Sequence, residues 1–164
     1  MRPWSTRSRE AANLLNPAFC CTVLSAVVSN YSSQESLGMP YPLAFVALPV
    51  ILHKQTRNSL PFNTRTSLAA WLEEKPIARV QFYERAISLK PFVRESILFG
   101  VIHNWLTIES GYLRSNHTDS KFRNSLQQLN GEARECVLRA RLVGKWFAAA
   151  GSAETVMSLW EVSL

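Results

Sequence analysis

The sequence is poor in residues that carry chemistry. Three cysteines and three histidines are scattered through 164 residues. No cysteines stand in Cys-x-x-Cys spacing and no histidines in His-x-x-x-His, so a structural zinc is not expected. There is no Gly-x-x-x-x-Gly-Lys-Ser/Thr phosphate loop and no Gly-x-Ser-x-Gly elbow. Neither ATP binding, nor hydrolysis by the chain itself, nor any cofactor is expected. Long hydrophobic runs are missing too. The apolar stretches Pro17–Val28 and Pro40–Leu52 are too short to cross a bilayer and are interrupted by Ser25 and Pro49, so no membrane association is expected. Arg2, Arg7 and Arg9 are not followed by an apolar stretch of signal-peptide form. The odd cysteine count, with Cys20 and Cys21 adjacent and Cys136 alone, argues against a disulfide framework and for a reducing cytoplasm.

What is present is apolar and basic. Hydrophobic residues make up 47% of the chain and charged residues only 18%, the balance of a globular protein with little charge to spare for a free surface. That shortage hints at protein interfaces. The net charge of +6 favours acidic partners such as nucleic acid or an acidic protein face.

The patterning predicts a mainly α protein with a small β-hairpin. Asn16-Pro17 is a helix start, since Asn caps free N–H groups and Pro has none to satisfy. That helix runs to about Tyr31. Leu43–His53 is apolar nearly all round and must be buried on all sides, in the core or against a partner. Thr66–Glu74 reads as a helix, Pro76–Leu89 as a second with the stripe Ile77, Val80, Tyr83 and Ile87, and Pro91 opens a third through Ile97, Leu98, Val101 and Ile102. Trp105–Ile108 and Tyr112–Arg114 then form a hairpin about Ser110-Gly111. Three helices and a hairpin is the order of a winged helix-turn-helix. The expected organisation is an N-terminal helical segment (residues 1–62), a winged-helix-like core (63–116) and a C-terminal helical segment (117–164). In the last segment, residues 119–130 read as helical, Glu132–Ala150 as the longest helix, and Ala153–Leu159 as a short one capped by Ser152.

Candidate chemistry is sparse. Glu73-Glu74 and the Glu132/Glu135 pair lie on helices beside cations and read as solvated faces. His53, His103 and His117 have no convergent partners in the sequence, and Cys20 and Cys21 read as small hydrophobes. Arg79, Arg85, Lys90 and Arg94 surround the winged-helix segment, and Arg134 and Arg141 share a face of the long helix. These six are the candidate nucleic-acid contacts. Pairing with acidic groups of this chain or a partner is the competing and favoured reading. A helix spanning Phe92–Asn104 offers few of the polar side chains that base reading needs.

Several stretches together resemble the middle-component family of three-component ABC systems. They are Asn16-Pro17-Ala18-Phe19-Cys20, Pro42-Leu43-Ala44-Phe45, and Leu48-Pro49-Val50-Ile51-Leu52-His53-Lys54 with Thr56-Arg57 and Leu60-Pro61. Ser67-Leu68 with Trp71-Leu72, Gly144-Lys145-Trp146-Phe147-Ala148, Ala150-Gly151-Ser152, Thr155 and Trp160 complete the set. Nearly the whole chain is covered. The most specific elements are His-Lys-x-Thr-Arg-x-x-Leu-Pro and Trp-Phe-Ala-x-Ala-Gly-Ser. One departure stands out: members tend to end Trp-Gly-Val, whereas Glu161 follows Trp160 here, which puts a tight C-terminal turn in question.

The resemblance implies a non-catalytic adaptor between an SMC-like ABC ATPase and an effector, often a nuclease, on the plan of Lamassu-type anti-phage defence. DNA would be met through the complex. Aromatic residues dominate such contacts, so Trp4, Trp71, Trp105, Trp146 and Trp160 are candidate interface residues, with core packing as the competing reading. His53, Lys54 and Arg57 of the most specific motif join them. The alternative function is a free-standing winged-helix DNA-binding regulator.

Overall fold

The computed structural model describes residues 15–116 and 129–163. Trp4 and His117, and almost all of the helix expected over residues 119–130, lie outside them. Helix α1, Pro17–Ser32, opens as its sequence dictates: Asn16 Oδ1 accepts the Ala18 N–H at 2.9 Å and Pro17 holds the first position. Strand β1, Met39–Pro40, is followed by a 3₁₀ turn, Tyr41–Leu43, and by α2, Ala44–Leu52. Every residue of α2 from Ala44 to Ile51 is buried, and the covering comes from the chain's own helices. Two short helices follow, α3 (Lys54–Ser59) and α4 (Leu68–Glu74).

The next stretch departs from expectation. Pro76–Ala78 is a single 3₁₀ turn, and one helix, α5, runs unbroken from Phe82 to Ile102 with Pro91 inside it. Pro91 lacks the N–H that would meet the Ile87 carbonyl. The helix tolerates this because Pro91 and Ile87 both face outward, where water can satisfy the carbonyl. The expected helix start at Pro91 is therefore corrected. So is the expected apolar face. Phe82, Ala86, Val93, Ser96, Ile97 and Gly100 are buried, whereas Ile77, Val80, Tyr83, Ile87, Leu98, Val101 and Ile102 are exposed.

The hairpin forms where expected, as β2 (Leu106–Glu109) and β3 (Tyr112–Ser115). Ser110 and Gly111 both take positive φ, 50° and 83°, the two-residue turn that suits strand twist. The sheet has a third member: β1 pairs antiparallel with β3, placing Met39 opposite Leu113, so the order is β1-β3-β2. The longest C-terminal helix is α6, Gly131–Ala149, and α7, Ala153–Leu159, closes the described chain.

One hydrophobic cluster runs from Cys20 to Val162 and draws on all three expected segments. At its centre α1 packs against both α5 and α6. Each crossing is made through a glycine. A Cβ at Gly144 of α6 would lie 2.3 Å from the Val27 carbonyl oxygen, and one at Gly100 of α5 would lie 2.8 Å from Cys21 Sγ and from Leu106 Cδ1. At Gly144 the obstacle is backbone, which leaves no room for a side chain, whereas at Gly100 it is side-chain atoms.

Candidate functional site

The most specific motif of the sequence builds a corner of the fold. His53 Nδ1 accepts the Thr56 N–H at 3.3 Å and lies 2.7 Å from Thr56 Oγ1, capping α3. Burial, then the nearby Arg85 and Arg57, lower the His53 pKa from its ordinary value, which keeps the ring neutral as a cap requires. Arg57 is 1% exposed. One of its amino groups donates to the Ile51 carbonyl at 2.8 Å, the other to Glu132, and Glu135 lies 3.7 Å from its Nε. It thus ties the end of α2 to the first turn of α6. Lys54 alone of this trio is exposed.

Three of the candidate interface tryptophans take the competing placement and pack in the core. Trp71, Trp146 and Trp160 are all buried. Trp71 meets Trp146 edge-on at 5.3 Å and Trp160 at 6.0 Å, and Phe82 joins Trp160 at 4.3 Å. Trp71 Nε1 donates to Ser59 O at 3.0 Å and Trp146 Nε1 to Thr66 O at 2.8 Å, pinning the loop between α3 and α4. Indoles are apolar bodies with one donor, and this loop supplies the acceptors. Trp105 is half-buried against Phe99. Cys20 and Cys21 are fully buried. Desolvation pushes their thiols up to about 12 and about 11, so both stay protonated and unreactive. Among the described residues no group of three or more His, Cys, Asp or Glu could hold a metal ion, and no helix is long and apolar enough to cross a membrane.

The candidate nucleic-acid residues divide into three sets. Arg79 donates to Leu72 O and to Glu161, and Arg85 donates to Ala78 O, so both are engaged within the fold. Lys90 and Arg94 sit on the outward side of α5. Arg134 and Arg141 sit on the outward side of α6, where Lys145 joins them.

Two surfaces emerge. The first is the outer face of α5, where Tyr83, Ile87, Arg94, Leu98 and Val101 follow one another in steps of four, seven, four and three residues, so they share one stripe. Leu98 is 52% and Ile102 69% exposed. Ile77 and Val80, just before the helix, are exposed as well. The exposed apolar side chains fall in two groups on this face, Tyr83 and Ile87 before the cations Lys90 and Arg94, and Leu98, Val101 and Ile102 after them. Covering each half-exposed Leu or Ile is worth on the order of 1 kcal/mol. The second surface is the cationic side of α6. Sequence reasoning missed the role of the α5 stripe because it took the larger side chains for the core. The signal that identifies the packed face is the run of small residues Ala86, Ser96 and Gly100.

What these features define is a mainly helical protein whose chemically versatile side chains hold the fold together and whose outward helix leaves an apolar stripe uncovered. The chain matches the family model of the ABC-three component (ABC-3C) system Middle Component 3 over residues 4–164 and belongs to that family. No curated protein and no solved structure matches it.

Proposed function

We propose that this middle component is a non-catalytic adaptor that joins an SMC-like ABC ATPase to an effector, a nuclease, in a bacterial anti-phage or anti-plasmid defence complex of the Lamassu type. The reading rests on family membership and is carried by one observation: the exposed apolar stripe of α5. A stripe bearing Ile87, Leu98, Val101 and Ile102 is costly to leave in water, and a protein partner is what covers such a surface. Free buried cysteines fit a cytoplasmic location.

The topology supports a winged-helix reading broader than residues 63–116. We read the order α1, β1, α2, then α5 and the hairpin, with β1 beside β3 and the three helices packed on one another, as a winged helix enlarged by an insertion carrying α3 and α4. In this arrangement α5 takes the place of the recognition helix. Its outer face presents aliphatic side chains where a base reader presents hydrogen-bonding groups. That favours the adaptor over the free-standing DNA-binding regulator.

Co-expression with the ATPase and effector encoded beside it tests the proposal. The wild-type chain is expected to co-purify with the ATPase, and the double variant Ile87→Asp/Leu98→Asp to lose it while keeping its own melting temperature. A wild-type chain that stays monomeric beside both neighbours, or retains a specific promoter duplex in a gel shift, contradicts it.

A further inference from the structure

We propose that the groove between the loop Pro61–Thr66 and the outer face of α6 binds single-stranded nucleic acid. The groove, about 310 Å³, is lined by residues including Asn30, Phe62, Thr64, Leu138, Arg141 and Lys145, and none of its described lining residues is a carboxylate. On α6 the residues Arg134, Leu138, Arg141 and Lys145 follow in steps of four, three and four, so three cations run along one stripe. At 1.5 Å per residue the outer two are about 16 Å apart along the axis, enough to meet more than one phosphate.

Phe62 decides the class of ligand. It is 94% exposed, the most exposed of the large apolar side chains described. It is not on a slack loop. Arg139 of α6 donates to Pro61 O at 3.1 Å and places its guanidinium 5.8 Å from the Phe62 ring centre, and Asn63 Oδ1 accepts the Arg65 N–H at 3.0 Å, fixing the turn. A held, bare aromatic ring beside a row of cations is the combination that single strands use, with phosphates on Arg and Lys and a base stacked on the ring. An acidic peptide would satisfy the cations and leave the ring unused. A duplex keeps its bases stacked away from it. This inference stands on the groove alone and does not depend on the adaptor reading.

The test is fluorescence anisotropy of the full chain with a labelled oligothymidylate. Binding is expected that weakens as salt rises. Phe62→Ala should weaken it about tenfold, and Phe62→Trp should restore it. Arg134→Gln and Lys145→Gln should each lower the log–log salt slope by about 0.7. Since Phe62 is exposed, its variants should melt as the wild type does. Absence of binding at low salt, equal affinity of Phe62→Ala, equal affinity for a duplex, or full displacement by the same charge of polyglutamate each overturns the proposal.

Discussion

Helices α5 and α6 are built on one plan and finished differently. Each is long, each crosses α1 through a glycine, and each turns a stripe to solvent. On α5 that stripe is aliphatic with two cations, Lys90 and Arg94, that form no ion pair among the described residues. On α6 it is cationic with one aliphatic residue, Leu138. The inner faces explain stability, and the outer faces are the ones proposed to meet partners. The contrast teaches that an apolar residue count alone does not say which side of a helix is the core.

The inner faces give the largest expected effects. Gly144→Ala should destabilise the protein by about 3 kcal/mol or more, because its Cβ would meet the Val27 carbonyl, and backbone cannot step aside. Gly100→Ala should cost only about 1 kcal/mol. The atoms it meets belong to the side chains of Cys21 and Leu106 and not to backbone, and alanine favours the helix over glycine by about as much. Equal losses in denaturant unfolding would erase the distinction between the two crossings. Arg57→Ala belongs with the larger losses, at about 3 kcal/mol, since it removes the guanidinium donor from the Ile51 carbonyl, leaving only the weak Cys136 thiol, and unties α2 from α6. Its carboxylate partners are half-exposed, which keeps the figure at the low end.

A smaller and opposite effect is expected at the C-terminus. The Val162 N–H donates to Met157 O and the Glu161 N–H to Ser158 O, the paired bonds of a glycine-type helix stop, yet Glu161 holds φ at 56°. The tight turn is therefore present without glycine. Glu161→Gly should raise stability by about 0.5–1 kcal/mol, net of the exposed contact to Arg79 that it removes. A lower melting temperature would contradict this.

The smallest effect is one of pH. The folded His53 pKa lies below the ordinary 6.5, so between those values the unfolded chain binds more protons than the folded one. Stability from this group is complete above pH 6.5, falls as pH drops through that window, and levels off below the folded value. His53→Asn keeps a capping oxygen and cannot titrate. Wild type minus variant should be flat above neutrality and decline below pH 6.5 in parallel urea titrations.

Much of this fold is legible in the sequence where a residue has one physical option. Asn16-Pro17 starts α1, Ser110-Gly111 turns the hairpin, Gly151 and Ser152 separate α6 from α7, and the all-apolar Ala44–Ile51 is buried throughout. The continuous α5 was hidden because Pro91 normally ends a helix, and only its outward placement makes it harmless. The pairing of Met39–Pro40 with β3 is a long-range contact that no local pattern encodes. At the candidate surfaces the larger side chains misled. Three tryptophans fill the core, and of the stripe from Ile77 to Ile102 that suits a core all but Ile97 face water. Phe62 carried no periodic signal, since it sits in a loop.

Site-specific photocrosslinking of the co-expressed complex probes the contrast between the helices most directly. A benzophenone side chain at position 98 of α5 is expected to form a covalent adduct with the ATPase or the effector. Position 138 of α6, equally exposed and apolar, is expected to give neither. Adducts from 138 with none from 98 would contradict the account.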